Sequence, residues 1–204
     1  MTTPSKAALR EQLLAARSGV ADAVRGAEAR MLSEHLELVV TSGSTVCAYV
    51  PVGTEPGSID MVDMLLRRSR RVLLPVARTT GPGIQGVPLP LRWGEYRPGA
   101  LVPGPWGVLE PAEPVLRQSA LGEADLVIVP ALAVDRQGVR LGRGRGFYDR
   151  SLGGRDPHAR LVAMVRDAEF VDELPAEAHD VPMTHVITPR RGVIALLPSG
   201  YTGE

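Results

Sequence analysis

The feature that most constrains this chain is a long apolar run followed closely by a basic, glycine-rich loop. Residues 125–135 read DLVIVPALAVD, and residues 140–150 read RLGRGRGFYDR. A nearly unbroken run of Val, Ile, Leu and Ala is typical of a strand that is buried on both faces of a sheet. The run therefore predicts one buried strand, and the loop that follows it is a candidate ligand site.

The composition of the loop indicates the kind of ligand. Glycine lets backbone N–H groups approach a ligand, and arginine presents forked donors to phosphate or carboxylate oxygens. Residues 147–152 are expected to open a helix, whose N-terminus also favours an anion. Asp149 suits the metal ion that accompanies a polyphosphate. The spacing matches neither the dinucleotide-binding fingerprint nor a P-loop. A phosphate site and a mobile surface turn are therefore both open.

Composition narrows the class of protein. The 204 residues carry 23 basic and 23 acidic side chains, so bulk charge does not indicate a nucleic-acid or membrane partner. The single cysteine, Cys47, fits a reducing compartment and is expected in the core rather than as a nucleophile. No apolar run is long enough for a bilayer, and no signal peptide is recognisable. We expect one α/β domain over residues 1–204, cytoplasmic and monomeric.

The first helix is expected to have Thr3 as its N-cap and Pro4 as its first residue. Lys6, the only lysine of the chain, lies four residues before Arg10, so the two share a helical face. With no acid opposite, they repel each other unless an anion binds between them; a solvated helix face is the alternative. The buried face of this helix is predicted at Leu9, Leu13 and Ala16.

Periodicity predicts the other elements. A second helix is expected over residues 21–40 and a third after Ser58, its N-cap, bearing Ile59, Val62, Leu65 and Leu66. The second helix has its apolar face at Val24, Ala27, Met31, Leu32, Leu36 and Val39. Strands are expected over residues 45–50, 71–76, 160–165, 185–188 and 192–197.

Three loops hold further candidates. Glu55 follows a predicted strand, where open α/β sheets bind ligands, although a surface charge is the simpler interpretation. Residues 79–114 are rich in proline and glycine yet contain Trp93, Tyr96 and Trp106, which favours short hairpins and a wall for a flat ring over a linker. In the last loop His179 is expected to be a loop histidine rather than a metal ligand, and Asp180 by itself indicates a turn.

The segment RLGRGRGFYDR resembles the signature of the 5-formyltetrahydrofolate cyclo-ligase family, also called methenyltetrahydrofolate synthetase. Four more blocks resemble that family in the same order: KAALR at 6–10, PVGTE at 51–55, WGVLEP at 106–111 and HDVPM at 179–183. Phe147 stands where the family commonly has tyrosine, and Arg145 where it often has lysine. Both substitutions keep the shape or the charge of the side chain.

The resemblance implies a fold and a set of site residues. The fold is an open three-layer α/β/α sandwich with a mostly parallel central sheet, similar to that of sugar-phosphate isomerases and coenzyme A transferases. Asp149 and Asp180 are implied as Mg²⁺ ligands. ATP is implied to bind Lys6, Arg10, Arg140, Leu141, Gly142, Arg143, Gly144, Arg145, Gly146, Phe147 and Tyr148. The folate is implied to contact Val50, Glu55, Trp106, Arg143, Gly144, Arg145, Gly146 and Phe147.

The resemblance also implies a reaction: ATP- and Mg²⁺-dependent cyclisation of 5-formyltetrahydrofolate to 5,10-methenyltetrahydrofolate, with release of ADP and phosphate. Lys6, Arg140 and Tyr148 are the candidate catalytic residues. One alternative keeps the fold but changes the chemistry to that of a sugar-phosphate isomerase or a coenzyme A transferase, which the lack of a Glu or His pair near the loop disfavours. Another is a non-catalytic protein on the same fold that binds a phosphorylated metabolite.

Overall fold

An eight-stranded sheet runs through the centre of the molecule in a computed structural model, which describes residues 4–81, 86–177 and 180–196. The strand order is β13-β12-β10-β7-β1-β2-β3-β6. Each pair from β12 to β2 is parallel, and the remaining pairs are antiparallel. The strands are β1 Thr45–Cys47, β2 Arg71–Val76, β3 Arg92–Glu95, β6 Val115–Leu116, β7 Leu126–Pro130, β10 Arg160–Met164, β12 His185–Thr188 and β13 Gly192–Ala195. The predicted α/β class with a mostly parallel sheet is confirmed.

Alternating side chains of the parallel strands divide the core into two layers. Leu126 and Ile128 of β7 pack on one face of the sheet, and Val127 and Val129 pack on the other. All four are essentially inaccessible to solvent. Each fully buried side chain of this size contributes about 1.5–3 kcal/mol, so β7 anchors both layers.

The two faces of the sheet are covered differently. Helices α2 Asp22–Glu37 and α3 Ile59–Arg68 cover the face to which Ile128 belongs, with Leu32, Leu36 and Leu65 fully buried against it. On the Val127 face the described residues form 3₁₀ turns, at Gln118–Glu123 and Leu152–Gly154, where the resemblance implied helices. The sandwich therefore has one full helical layer and one thin layer of turns.

Helix α1, Lys6–Ser18, lies against a second, three-stranded sheet of order β11-β8-β9. Its strands are β8 Ala133–Asp135, β9 Arg140–Leu141 and β11 Phe170–Val171. Leu9 and Leu13 of α1 pack against Ala133 and Leu141 of that sheet. Because β9 leads directly into the glycine–arginine loop, this packing places α1 beside the loop.

Several predicted boundaries are wrong. Residues 125–135 form two strands in different sheets, because the chain leaves the central sheet after Pro130. Helix α1 begins at Lys6 with Ser5 as N-cap, whose side chain accepts a hydrogen bond from the Ala8 N–H; Thr3 lies outside the described residues. Elsewhere, the strand predicted over 45–50 ends at Cys47, α2 is shorter than predicted with Val24 exposed, and on α1 Ala16 is exposed while Arg17 is buried.

The proline-rich segment folds back on the sheet and is not a linker. Its hairpin consists of β4 Leu101–Pro103 and β5 Leu109–Pro111, with Trp106 at the tip. Trp93 and Tyr96 are buried in the two core layers, so of the three predicted aromatics only Trp106 remains for a ligand wall. In the described part of the chain, no helix is both long and apolar enough to cross a bilayer.

Candidate active site

A cavity of about 570 Å³ lies at the carboxyl ends of the parallel strands β1, β2 and β7. This is where open α/β sheets bind ligands. The cavity is large enough for a small molecule or cofactor. All the predicted site residues line it: Lys6, Arg10, Val50, Glu55, Trp106, Arg140, Leu141, Gly142, Arg143, Gly144, Arg145, Gly146, Phe147, Tyr148, Asp149 and Asp180.

The glycine–arginine loop forms one wall of the cavity, and two of its glycines are favoured by their positive φ. Gly144 has φ +91° with the Arg10 guanidinium 3.3 Å from the position of an added Cβ. Gly146 has φ +73°, and an added Cβ would meet the end of the Arg150 side chain. Turns, not the predicted helix, follow over residues 147–151. Donors for an anion therefore come from loop N–H groups and arginines rather than from a helix N-terminus.

Lys6 lies between two acids that the local sequence did not reveal. Its Nζ is 3.1 Å from Asp180 Oδ2 and 3.1 Å from Glu177 Oε1. Burial lowers the pKa of Lys6, but the hydrogen bonds to Asp180 and Glu177 outweigh burial and raise it overall. The expectation that no acid opposes Lys6 and Arg10 is wrong, because the acids come from a loop far along the chain.

Arg10 and Arg140 complete the charged part of the wall. Arg10 Nε donates to the Gly142 carbonyl at 2.9 Å, which fixes α1 against the loop. Arg140 Nη2 forms an ion pair with Asp149 Oδ1, and its side chain is only 6% exposed. Arg140 Nε is buried without a hydrogen-bond partner among the described residues. We call Lys6, Arg10, Arg140, Asp149 and Asp180 the charged half of the cavity.

Opposite them, Trp106 presents its ring to Phe147. The two rings meet edge to face with centroids 5.3 Å apart, and the Arg145 guanidinium carbon lies 5.0 Å from the centre of the Trp106 ring. Trp106 is the only described non-glycine residue with positive φ, at 59°. Such a backbone costs about 1–3 kcal/mol and is a feature of ligand sites. The hairpin tip thus holds an indole in the cavity wall.

Tyr148 places an unpartnered hydroxyl in the same wall. Its oxygen is buried and has no hydrogen-bond partner within the described segments, and neither does Trp106 Nε1. Burial and the nearby Glu55 carboxylate raise the pKa of Tyr148, so the phenol stays protonated and able to donate. We call Val50, Trp106, Phe147 and Tyr148 the aromatic half of the cavity.

Glu55 joins the two halves. Its Oε1 is 2.9 Å from Arg143 Nε, and its Oε2 accepts a hydrogen bond of 3.0 Å from the Val52 N–H. The Glu55 side chain is 12% exposed, whereas that of Arg143 is 47% exposed. The carboxylate is thus oriented toward the cavity by its own loop.

The acids of the cavity suit a Mg²⁺ ion that is bound jointly by protein carboxylates and ligand phosphates, and not one that is held by protein side chains alone. Among the described residues no group of three or more His, Cys, Asp or Glu side chains is arranged around a common point. Asp149 and Asp180 nevertheless line the same cavity as the cationic side chains. Mg²⁺ is commonly held by one or two carboxylates together with substrate phosphates, and two carboxylates beside the glycine–arginine loop fit that pattern.

Sequence patterns missed other cavity residues. Arg17 lines the cavity although its side chain is only 1% exposed, and Glu110, buried beneath Arg78, lines it too. Tyr49 also contributes, with its hydroxyl donating to the Pro56 carbonyl at 2.7 Å. For Arg17 a signal existed, since it follows Leu13 by four residues on the face of α1 that packs inward. His179 lies outside the described residues.

Comparison with known proteins agrees with this geometry. Residues 2–189 match the model of the 5-formyltetrahydrofolate cyclo-ligase family. The chain belongs to this family. A 5-formyltetrahydrofolate cyclo-ligase of Mycolicibacterium smegmatis is 56% identical over 196 residues, covering 96% of this chain and 100% of the relative. One from Escherichia coli K12 is 31% identical over 154 residues, covering 74% and 81% of the two chains. The predicted assignment to this enzyme family is confirmed.

Solved structures confirm the fold. The 5,10-methenyltetrahydrofolate synthetase of Aquifex aeolicus aligns with a TM-score of 0.72 and 24% identity, over 98% of this chain and 99% of the other. The corresponding protein of Mycoplasma pneumoniae gives a TM-score of 0.67 and 18% identity, over 90% and 98% of the chains. At these identities the similarity concerns the arrangement of the backbone alone.

Proposed function

We propose that this protein cyclises 5-formyltetrahydrofolate to 5,10-methenyltetrahydrofolate at the expense of ATP, as a cyclo-ligase of one-carbon metabolism. The observation that carries the proposal is the convergence of five separate sequence blocks on one cavity. Lys6, Glu55, Trp106, Gly144 and Asp180 come from different elements, and all line it. Family membership supplies the reaction class, and the cavity supplies residues of the chemical types that this reaction needs.

The proposed reaction activates an amide-like carbon. The formyl oxygen on N5 of the folate attacks the γ-phosphorus of ATP, and ADP leaves, which turns a poor electrophile into a phosphorylated imidate. N10 of the folate then attacks the formyl carbon and gives up its proton to the departing phosphate, which leaves with the former formyl oxygen. No protein nucleophile takes part. Catalysis therefore rests on positioning and on charge stabilisation of the transferred phosphoryl group.

We assign the charged half to the nucleotide. Lys6, Arg10 and Arg140 supply ammonium and guanidinium groups, and the loop from Leu141 to Tyr148 supplies backbone N–H donors. Arg140 is well suited to hold a phosphoryl oxygen, because its buried Nε has no partner among the described residues. A desolvated guanidinium is a strong stabiliser of the charge that develops on a transferred phosphoryl group.

Asp149 and Asp180 are the residues that we propose hold the Mg²⁺ of the nucleotide. When bound, the cation supplies charge neutralisation of the phosphate oxygens. In the ligand-free protein each of these carboxylates is engaged with a cation of the same half, Arg140 and Lys6 respectively. These ion pairs hold the acidic and basic side chains of the site next to each other before a ligand binds.

We assign the aromatic half to the folate. Val50 and Phe147 provide apolar surface, and Trp106 provides a ring face or edge for a planar heterocycle. Glu55 accepts donors of the pterin, while Arg143 and Arg145 lie on the exposed side of the loop. The protonated hydroxyl of Tyr148 donates a hydrogen bond toward the reacting group.

The near-ultraviolet absorbance of the methenyl product tests the proposal. Purified protein with ATP, Mg²⁺ and 5-formyltetrahydrofolate should generate this absorbance together with ADP, and omission of any one component should abolish it. The control is the double variant Arg136→Met/Asp172→Leu, which removes an ion pair whose side chains are 67% and 87% exposed. Ligand-induced thermal stabilisation without product or ADP would instead support a non-catalytic metabolite-binding protein.

A further inference from the structure

A network of four charged side chains, three of them buried, adjoins the cavity that Arg17 lines. Arg17 Nε and Nη2 donate to Glu169 Oε1 at 2.7 Å and to Oε2 at 2.8 Å. The Arg166 N–H donates to the same carboxylate at 2.8 Å, and Arg166 Nε donates to Glu28 Oε2 at 2.8 Å. Arg17, Glu169 and Arg166 are 1%, 5% and 7% exposed. We call these four residues the Arg17–Glu169 network.

The network holds two backbone carbonyls at separate parts of the cavity wall. Arg17 Nη2 donates to the Ala131 carbonyl at 2.6 Å, immediately after the central strand β7. Arg166 Nη1 donates to the Thr54 carbonyl at 3.1 Å, directly before Glu55. Ala131 and Glu55 both line the cavity. A bidentate guanidinium fixes direction as well as distance, so the two segments are held at a defined separation.

The network also fixes helix α1. Arg17 lies in the last turn of the helix that carries Lys6 and Arg10 in its first turns. Because a helix behaves as a rigid rod over this length, anchoring Arg17 to Glu169 sets the position of Lys6 and Arg10 as well. One set of ion pairs thus links the proposed nucleotide side of the cavity to the proposed folate side.

Stability alone does not account for this arrangement. Burying two ions carries a desolvation penalty that their attraction roughly offsets, and well-packed hydrophobic replacements are often neutral or stabilising. Hydrogen bonds to two carbonyls in the cavity wall, by contrast, are a contribution that an apolar pair cannot make. The network therefore acts on geometry more than on the free energy of unfolding.

We propose that Arg17, Glu169 and Arg166 are positioning residues of this enzyme, which hold the Lys6–Arg10 helix and the Glu55 loop at the separation that lets nucleotide and folate meet. The inference rests on the proposed function for the identity of the two ligands. These residues act through the wall they support, and the substrates are contacted by the residues that they align.

The test compares four variants of the full chain. Arg17→Met/Glu169→Leu replaces the buried pair by apolar groups, Arg17→Lys keeps the charge but lacks the second donor arm, and Glu169→Gln keeps the shape. Arg136→Met/Asp172→Leu is the matched control at an exposed ion pair with an N–O distance of 2.7 Å. The measurements are the melting temperature and the KM and kcat for ATP and for 5-formyltetrahydrofolate.

We expect the double variant to fold with a lowered melting temperature, because the Ala131 carbonyl and the Arg166 backbone N–H lose their partners. Its KM for both substrates should rise about tenfold to a hundredfold, the effect of a wall displaced by about 1 Å. The KM values of Arg17→Lys should lie between those of wild type and those of the double variant. A merely structural role would lower the number of folded molecules, and so would reduce apparent kcat at unchanged KM. Three results would overturn the proposal: a reduced kcat at unchanged KM, no change in either constant, and a rise in KM for one substrate alone.

The same four variants also settle two other possible outcomes. If the double variant does not fold, Arg17→Lys and Glu169→Gln decide by the same comparison of KM for both substrates. If wild type and control both make no product, the proposed function fails, and the positioning role is judged on the Kd for Mg²⁺–ATP, which needs no turnover. A Kd raised about tenfold in Arg17→Lys relative to the control would support it, and an unchanged Kd would refute it.

Discussion

In the charged half of the cavity Lys6 and Arg140 form ion pairs with carboxylates of the chain itself, although Arg140 Nε has no partner among the described residues. In the aromatic half Trp106 and Tyr148 hold buried polar groups for which the described residues supply no partner at all. A ligand entering the first half has to exchange ion pairs. A ligand entering the second half satisfies donors that are already waiting. Buried donors without partners raise the free energy of the empty protein. A ligand that accepted their hydrogen bonds would remove this penalty, which would contribute to its affinity for the aromatic half.

The difference separates two kinds of mutational effect. Removing a side chain of the charged half leaves an uncompensated charge behind, which affects both the empty protein and the transition state. Removing a polar group of the aromatic half relieves the empty protein and harms only the complex. Stability and activity should therefore change together in the first half and in opposite directions in the second.

The largest effect is expected for Arg140→Met. The variant loses a charge-assisted phosphate contact, which lowers ATP affinity by about 1.5–3 kcal/mol, and loses transition-state stabilisation, which lowers kcat about 10³-fold. Calorimetric titration with Mg²⁺–ATP and the methenyl absorbance assay measure the two effects. Arg68→Gln, at an exposed ion pair with Glu37, is the control. An ATP affinity within twofold of wild type would show that Arg140 does not bind the nucleotide.

A smaller and more selective effect is expected for Trp106→Ala. Loss of the ring removes a packing surface for the heterocycle, worth about 0.5–1.5 kcal/mol beyond the area it buries. The KM for 5-formyltetrahydrofolate should therefore rise about tenfold, while the KM for ATP stays within twofold. Trp106→Phe keeps a ring at the hairpin tip and should recover most of the loss. Equal changes for both substrates would show that the two halves are not separable.

Tyr148→Phe should change stability and activity in opposite directions. Deleting a buried unpartnered hydroxyl removes a desolvation cost of about 1–3 kcal/mol, so the ligand-free protein should melt higher. Turnover should fall roughly threefold to tenfold because one hydrogen bond to the substrate is lost. The matched control is Tyr49→Phe, whose lost hydroxyl donates to Pro56 in wild type and should lower the melting temperature. Parallel behaviour of the two variants would contradict this distinction.

The smallest effect concerns pH. The folded-state pKa of Lys6 is raised above its ordinary value of 10.5, so its ion pairs stabilise the fold fully below that pH and lose this contribution as the pH rises through the folded-state pKa. Because Glu177 is half exposed and burial of Lys6 opposes its charged form, the net contribution of these pairs should be only about 1 kcal/mol. Chemical denaturation of wild type and Lys6→Met from pH 8 to about 11 measures it. A difference that grows with pH would reverse the sign assigned here.

Much of the architecture was predictable because its signals are local. The Val, Ile and Leu side chains of β7 and β10 alternate between two buried layers and mark the centre of the sheet. The glycine–arginine loop revealed itself by composition. The family blocks brought Glu55 and Trp106 into the same site, which neither residue's surroundings in the sequence could do.

The remainder depends on contacts between distant segments. Asp180 opposes Lys6 across 174 positions, and Glu169 meets Arg17 across 152. No local pattern contains either pairing. The helix predicted after the loop is replaced by turns, because Gly146 has positive φ, Gly153 and Gly154 follow closely, and the Ser151 N–H bonds to the Tyr148 carbonyl three residues back. Likewise, Pro130 ends β7 where composition alone suggested one strand.

The uniqueness of Lys6 gives the protein a built-in chemical footprint. Apart from the amino terminus, an acylating reagent directed at amines finds one side-chain target in the whole sequence, and that target lines the cavity. Fragmentation mass spectrometry separates modification of Lys6 from modification of the amino terminus, so it reports on this one side chain. Protection of Lys6 from acylation by added nucleotide would report that the cavity is occupied, without an assay of turnover.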